Sequence, residues 1–282
     1  MINMAPHFEY TVTPDGVRIA RQRDIIAQIR HNASKTINLV RLELKQLGFG
    51  LYFGNFWLVL EPLLQAATYY FLLTVVFRIS GADTSFAFFF VPVTFWRSHA
   101  MLVSSAPYFM SSKGHPYVEQ GFGLLTAYLE VTANELMLMG IRVGVLCTFL
   151  LVAGYSPQWT WLMVPGVAAV QMLFTMALHI WLSMFGVAFK DYGKLVSHFV
   201  WLWWYMSPGL YSVGRIPDWA QAVYYANPFA HIIPAYHSAM LEGTFTLQLL
   251  LANATIAIVS VFVIWLGARR LRRFGYQMAQ YL

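Results

Sequence analysis

A membrane-length apolar run followed by two much shorter ones constrains the fold of this chain most. Residues Leu195 to Val213 are apolar and rich in aromatic side chains, and a helix of about that length crosses a bilayer. Two short apolar segments follow, Trp219 to Ala226 and Phe229 to Ala235, with prolines at their joints. A helix rises about 1.5 Å per residue, so neither segment can cross a hydrocarbon core about 30 Å thick. The two segments are therefore predicted to enter the membrane and return, as a re-entrant helical hairpin over about residues 214–240.

The residues at the joints of this hairpin favour two separate short helices. Asp218 is predicted to cap a helix that begins at Trp219, while Asn227 closes that helix and caps the next, with Pro228 in its first turn. Irregular backbone at membrane depth persists only where protein or a water-filled cavity covers it. The hairpin is therefore predicted to border a permeation path, with these candidates for its gate: Pro217, Asp218, Asn227 and Pro228.

The composition agrees with a membrane protein. Of the 282 residues, 59% are hydrophobic and only 11% are charged, so the length predicts several membrane spans rather than several soluble domains. The single cysteine, Cys147, falls inside an apolar run, which excludes a disulfide framework within the chain and a thiolate metal site.

The apolar pattern predicts an all-α, polytopic protein with six transmembrane helices in a domain over residues 48–268. A flexible tail is predicted over residues 1–20, an amphipathic helix at the membrane interface over 21–47, and a basic tail over 269–282. Residues 121–134 are predicted to form a cytoplasmic amphipathic helix that leads into the third span. The six predicted spans are about 55–77, 85–109, 135–154, 161–189, 195–213 and 246–266.

The lysines and arginines predict the orientation of these spans. With both termini in the cytoplasm, fourteen of the 18 Lys and Arg residues fall in cytoplasmic segments and two in outer ones. Cytoplasmic segments of membrane proteins carry this excess of basic residues, so both termini are predicted to be cytoplasmic and the hairpin extracytoplasmic. The net positive charge thus marks topology, and binding to nucleic acid is not predicted.

Ionisable residues inside the predicted spans require partners, because each costs a few kcal/mol at that depth. Glu135 and Arg142 are seven positions apart and share one helix face. Glu61, beside Pro62, is expected to face protein, and a bond between it and Arg97 is one open possibility. A polar network in the membrane is therefore predicted from Glu61, Arg97, Glu135 and Arg142.

Aromatic residues are concentrated in the second span, the fifth span and the hairpin. Ring faces suit the C–H faces of sugars, and phenol or indole donors suit sugar hydroxyls. The alternative is an ordinary aromatic belt, since Trp and Tyr collect at bilayer interfaces. The candidates for a substrate path are Phe89, Trp96, Arg97, Trp201, Trp204, Tyr205, Tyr211, Tyr224 and Tyr225.

Motifs for catalysis are missing from the sequence. It contains no G-x-x-x-x-G-K-[ST] loop for cradling nucleotide phosphates, no H-E-x-x-H, no paired C-x-x-C and no G-x-S-x-G. The chain is therefore not expected to hydrolyse ATP by that route, and no catalytic residue, metal site or bound cofactor is predicted on it.

Two ordered sets of residues carry a resemblance to a known family. The first runs from a charged helix end through an aromatic helix to the hairpin, and the second lies at the first span, Phe56 to Leu64. Together with the helix layout, over roughly residues 40–270, they resemble the membrane subunit of type-2 ABC exporters, especially exporters of O-antigen, capsule or teichoic-acid polysaccharides. The matching residues of the first set are Lys190-Asp191, Ser207-Pro208, Tyr211, Ile216-Pro217, Tyr225, Asn227-Pro228 and Tyr236.

The resemblance implies a function and partners. The chain would form, as a homodimer, the channel for a lipid-linked polysaccharide in a bacterial inner membrane, with two separate ATPase subunits holding ATP and Mg²⁺. Two alternatives stay open: a type-2 exporter of small drugs or lipids, and, from another class, a membrane-embedded glycolipid-processing enzyme. The resemblance also places candidate contacts with the ATPase at Arg23, Arg30, Lys35, His115 and Glu119.

Overall fold

A computed structural model describes residues 10–13, 16–19, 56–79, 85–115, 124–186, 191–211, 214 and 216–280. The predicted interface helix over 21–47 lies outside the described residues. Within them the chain forms one two-stranded ribbon and eight α-helices, several of which continue into 3₁₀ or π turns. The helices are α1 (Trp57–Tyr70), α2 (Phe86–Ser105), α3 (Leu124–Val152), α4 (Val164–Gly186), α5 (Tyr192–Tyr205), α6 (Asp218–Tyr225), α7 (Phe229–His237) and α8 (Leu247–Gln280).

Five helices in the described part of the chain are long and apolar enough to cross a membrane. They agree with the predicted first, second, third, fourth and sixth spans. Their ranges, with the adjoining turns, are Trp57–Val76, Phe86–Tyr108, Ala127–Val152, Trp159–Gly186 and Leu247–Leu271.

The prediction of one helix over residues 195–213 is wrong. Helix α5 begins earlier, at Tyr192, and has 14 residues, so it rises only about 21 Å. It ends because the chain turns at Ser207-Pro208-Gly209, where the Ser207 hydroxyl folds back to donate to the Trp203 carbonyl oxygen at 2.8 Å. The described residues therefore do not confirm a sixth spanning helix.

Two other boundaries also differ from prediction. Helix α3 is continuous from Leu124 to Val152, with no break at Glu135 between an amphipathic part and a span. Helix α8 does not end at the arginines that follow Leu266 but runs on to Gln280. Both differences have one reason: Glu and Arg are good helix formers, and a charge alone does not end a helix.

Helix α2 is the centre of the bundle. It packs against α1, α3, α4, α5 and α7, and most of its length is buried, including Phe89, Phe90 and Phe95. Helices in lipid associate through close packing and interhelical hydrogen bonds, and α2 supplies both. Helix α2 therefore lies in the interior of the bundle.

A short antiparallel ribbon precedes the membrane helices. Strand β1 (Tyr10–Thr13) pairs with β2 (Gly16–Ile19), with Val12 opposite Val17. The sequence between them, Pro14-Asp15-Gly16, is a turn signature, and the flanking residues are largely β-branched. The membrane part of the chain is all-helical, as predicted, and this ribbon lies before it. The flexible tail predicted over residues 1–20 stays a prediction.

The two short helices predicted after α5 are present as α6 and α7. Helix α7 is part of the core, with Phe229, Ile232 and Tyr236 fully buried. Gly243 lies between α7 and α8 with a φ of +68°, and a Cβ there would overlap the Gln158 side chain. Only glycine adopts this conformation at little cost, so the exit from the hairpin is tightly specified.

Candidate functional site

The Asn227 side chain joins the hairpin to the end of α5. Its Oδ1 accepts from Trp203 Nε1 at 2.9 Å and from the Phe229 amide at 3.0 Å. Its Nδ2 donates to Ser207 Oγ at 3.1 Å and to the Met206 carbonyl at 3.3 Å. The predicted cap of the second short helix is therefore present, and the same amide also holds the turn after α5.

The predicted side-chain cap of the first short helix is absent. Helix α6 begins at Asp218 itself, with Pro217 before it and no side chain capping it. The Asp218 carboxylate instead accepts from Gln221 Nε2 at 2.9 Å. An acidic side chain in the first turn still favours the helix through its dipole.

Helix α7 is anchored to α2 and α4 through a buried polar chain. The Tyr236 hydroxyl donates to Gln171 Oε1 at 2.9 Å, and Gln171 Nε2 donates to the Phe95 carbonyl at 2.7 Å. The Tyr236 ring also stacks on the Phe95 ring, with centroids 3.6 Å apart and planes 8° from parallel. Stacking and two hydrogen bonds together fix one orientation of α7.

A second set of contacts holds the end of α7 and the turn after it. His237 Nε2 donates to the Phe88 carbonyl at 2.9 Å, and its ring stacks on that of Phe88. Thr160 Oγ1 donates to the Ala239 carbonyl at 2.7 Å. The second half of the hairpin is thus a fixed part of the bundle.

Helix α6 has the opposite character, because it exposes apolar side chains. Trp219 is 85% exposed and Val223 is largely exposed, while Tyr224 faces inward. Burial raises the pKa of the Tyr224 phenol well above its ordinary value, and the nearby Tyr211 and Tyr225 raise it further. The Tyr224 hydroxyl therefore stays protonated, and among the described residues it has no hydrogen-bond partner.

Arg97 and Ser98, adjacent on α2, each bind a charged side chain of another helix. Arg97 Nη2 donates to the Glu61 carboxylate of α1. On the other side, Ser98 Oγ accepts from Arg142 Nη1 of α3 at 2.7 Å, and Arg142 also donates to Glu135 at 2.8 Å. The four predicted network residues therefore form two ion pairs, both of which contact α2.

The two ion pairs differ in exposure. Glu135 and Arg142 are buried, whereas the Glu61 and Arg97 side chains are 48% and 29% exposed. Glu61 thus has the protein partner that was expected, but it still lies on the surface of the subunit.

The exposed pair lies within two of the membrane-length helices. The rings of Tyr70 on α1 and Phe86 on α2 contact each other, so the two helices run antiparallel. Arg97 is the twelfth of the 23 residues of its span, Phe86–Tyr108, and Glu61 is the fifth of the 20 residues of its span, Trp57–Val76. Arg97 is therefore near the middle of its helix, and it reaches a carboxylate nearer one end of α1.

Helix α1 presents a polar stripe next to this pair. Glu61, Gln65 and Tyr69 follow at four-residue spacing and share one face. Gln65 Nε2 donates to the Tyr69 hydroxyl at 3.1 Å, and the Tyr69 ring stacks on Trp204 of α5. The stripe therefore extends from the ion pair to α5.

The predicted substrate-path residues are divided between core and surface. Phe89, Trp96, Trp204 and Tyr224 are buried by their neighbours and cannot line a path along the surface of this chain. Arg97 and Tyr211 are partly exposed. Trp201, Tyr205 and Tyr225 are exposed.

Of the predicted ATPase contacts, the structure describes only His115. It is half-buried in the turn that extends α2. Arg23, Arg30, Lys35 and Glu119 lie outside the described residues.

Comparison with known proteins identifies the family. The family model described as ABC-2 type transporter matches residues 17–241. The chain belongs to this family. Its five long apolar helices agree with a multi-pass membrane protein.

Three curated relatives of this chain have the same name. The chain is 28% identical over 232 residues to the O-antigen export system permease protein RfbA of Myxococcus xanthus, covering 81% of this chain and 88% of the relative. It is 24% identical to the Klebsiella pneumoniae protein of the same name, covering 82% and 88%. A second Klebsiella pneumoniae protein of that name is 23% identical, covering 81% and 87%. The chain is therefore a permease of the type-2 ABC exporter kind, as the resemblance of its sequence implied.

Sequence reasoning missed several residues that hold this ABC-2 permease together. Trp203 was not among the predicted site residues, yet it binds Asn227. Gln171 and Thr160 were not singled out, although each makes a buried hydrogen bond to another segment. A signal for Gln171 was present: an amide within an apolar span must find partners.

Proposed function

We propose that this chain is the channel-forming subunit of an ATP-driven exporter that moves a lipid-linked polysaccharide of the O-antigen type out of the cytoplasm. The names of its relatives support this cargo, since all three are O-antigen export permeases.

One observation carries the location of the path: the half-exposed Glu61–Arg97 pair lies within two membrane-length helices. Charged groups at that depth are costly when they face hydrocarbon. This face of α1 and α2 therefore turns toward water or another protein subunit. The polar stripe of Glu61, Gln65 and Tyr69 continues the same surface.

The surface beside this stripe suits a sugar chain. Trp201 and Tyr205 of α5 are exposed, and their rings pack edge to face at 5.0 Å. Aromatic rings stack on sugar C–H faces, and Arg, Glu, Gln and Tyr side chains exchange hydrogen bonds with hydroxyls. One polar face on one subunit cannot enclose a polymer, so two copies would meet around the path.

Energy would come from other chains. Two separate ATPase subunits would bind ATP and Mg²⁺, because this sequence lacks a phosphate-binding loop. The resemblance implies a bacterial inner-membrane location, and the distribution of Lys and Arg favours an orientation with both termini cytoplasmic and the hairpin outside.

Export in living cells tests this function. In a strain whose own permease gene is deleted, this chain and its ATPase should restore polysaccharide at the cell surface, measured by immunoblot of whole-cell extracts. Trp201→Ala should reduce surface polysaccharide severalfold at normal membrane abundance, because it removes a ring from the path. Phe262→Ala is the matched control, since Phe262 is as exposed as Trp201 (57% each) but lies on α8.

Two results would contradict the proposal. Unchanged export for Trp201→Ala, Tyr205→Ala and Arg97→Gln would mean that this face does not line the path. If this chain and its ATPase do not restore surface polysaccharide in the deletion strain but change its sensitivity to drugs, that result would favour an exporter of small molecules.

A further inference from the structure

An open apolar groove runs between α3 and α4, away from the polar stripe. It has a volume of about 520 Å³. Phe95 of α2, Met139 and Met172 are buried at its floor, while Gly140 and Ala169 are exposed at its rim. Its lining extends over residues 132–143 of α3 and 164–176 of α4, so it is about 17 Å long at 1.5 Å per residue.

The surface around the groove is the kind that faces lipid. Leu129, Leu136 and Ile141, exposed along α3, are all aliphatic. The groove itself contains one polar side chain, Thr132, whose hydroxyl already donates to the Tyr128 carbonyl at 2.8 Å. The groove therefore offers an incoming molecule dispersion contacts and no hydrogen-bonding group.

The end of the groove near Met176 adjoins a buried cluster that joins α4 and α8. Met176 lines the groove and also belongs to this cluster, which contains Ile180 of α4 and Leu271 of α8. Arg269 and Arg270, directly before Leu271, are exposed, and the Arg269 guanidinium lies 3.5 Å from the centre of the Trp265 ring. A molecule with a hydrocarbon tail in the groove and an anionic head at the arginines of the neighbouring helix would complement both surfaces.

We propose that this groove binds one acyl chain of an anionic glycerophospholipid of the surrounding bilayer, with the lipid phosphate at Arg269 and Arg270. A helix is about 10 Å wide with its side chains, so it cannot enter a cleft between two packed helices, whereas an extended acyl chain can. Long Arg side chains reach phosphate at the membrane surface and bind it with two parallel hydrogen bonds. This lipid site is separate from the proposed polysaccharide path and does not depend on the cargo.

The chain contains a matched pair of glycines for the test. A Cβ at Gly140 or at Gly144 would meet no atom within 4 Å, so a larger side chain fits the fold at either position. Both glycines are exposed on α3 one turn apart, but only Gly140 lines the groove. Gly140→Leu should fill the groove, and Gly144→Leu should leave it open.

The experiment measures lipid binding to the purified full-length chain. Phosphatidylglycerol, and phosphatidylcholine with the same acyl chains, are titrated into the delipidated protein and counted by native mass spectrometry. We expect Gly140→Leu to weaken phosphatidylglycerol binding about tenfold, because the loss of a few methylene contacts changes the affinity by about that factor. Gly144→Leu should bind phosphatidylglycerol like the unmodified chain. If Gly140→Leu does not fold, Ala169→Leu, which also lies at the rim, takes its place in the titration.

The arginines are tested through head-group selectivity. The unmodified chain should prefer phosphatidylglycerol, and Arg269→Gln with Arg270→Gln should abolish that preference while the acyl-chain site remains. The proposal is overturned if both glycine variants bind phosphatidylglycerol equally well, or if the unmodified chain shows no preference for phosphatidylglycerol over phosphatidylcholine. A change of oligomeric state in Gly140→Leu would assign the groove to a second copy of the chain, and displacement of phosphatidylglycerol by an isoprenoid phosphate at lower concentration would assign it to a lipid carrier.

Discussion

At the scale of single residues, Asn227 has the widest structural role. Its amide bonds to the start of α7, to the Trp203 indole and to the turn that ends α5. An Asn-Pro pair predicts a cap from sequence, because Asn accepts hydrogen bonds from amides two residues ahead and Pro suits a first helical turn. The contacts to α5 and its turn do not follow from spacing, since they join residues twenty or more positions apart.

Asn227→Ala should destabilise the chain by about 1–3 kcal/mol, because it removes a cap and leaves the Trp203 indole N–H without its acceptor. Thermal unfolding in detergent measures the change. Ser207→Ala is the control that removes one acceptor of the Asn227 amide and leaves the cap of α7 in place, so its effect should be smaller. An unfolding midpoint for Asn227→Ala equal to that of the unmodified chain would show that these bonds do not contribute.

At the scale of elements, the two halves of the hairpin differ in burial and in the contacts that anchor them. Helix α7 is held by Gln171, by the Phe88 carbonyl and by stacking on Phe95. Helix α6 has eight residues and exposes Trp219 and Val223. A gate in this hairpin would therefore move through α6, with the Asn227-Pro228 joint as the hinge.

Cysteine labelling compares the two helices directly. In a Cys147→Ser background, Trp219→Cys should react rapidly with a membrane-impermeant maleimide added outside spheroplasts. Ile232→Cys should react at least about tenfold more slowly, because that side chain is fully buried and reaction requires local opening. Equal rates would contradict a fixed α7, and labelling of Trp219→Cys only after lysis would contradict an extracytoplasmic hairpin.

At the scale of the whole molecule, the described chain is a bundle around α2 with two unlike surfaces. One carries the polar stripe and the half-exposed ion pair between α1 and α2. The other is apolar and contains the groove between α3 and α4. This division agrees with the proposed arrangement, in which the subunit would meet its copy on one side and lipid on the other.

The purified chain alone should show no ATP hydrolysis, because its sequence lacks a phosphate-binding loop. Activity should arise only when a separate ATPase subunit is co-purified with it. Phosphate release, measured with and without vanadate, is the readout. Vanadate-sensitive turnover by the isolated chain would contradict this prediction, and a complex lacking the catalytic residues of the ATPase is the control.

Much of the fold could be predicted because lipid imposes a length and a polarity on each spanning helix. Five spans and the two short helices after α5 were predicted from apolar runs and prolines, and their order also carried the resemblance to the ABC-2 family. Glu135 and Arg142 pair as their seven-residue spacing indicated, since both lie on one face of one helix.

Only the tertiary structure decided which aromatic residues belong to the core. Phe89, Trp96 and Trp204 were expected beside the path, but α2 is surrounded by five helices and buries them. In a bilayer an apolar ring is about equally stable against a lipid acyl chain and against another helix. Composition therefore cannot distinguish a ring on the surface from a ring in the core. The sequence by itself determined which segments form the five membrane-length helices of the described chain, because hydrophobicity and length are local properties. Packing decided which faces meet, because that depends on contacts between residues far apart in the chain.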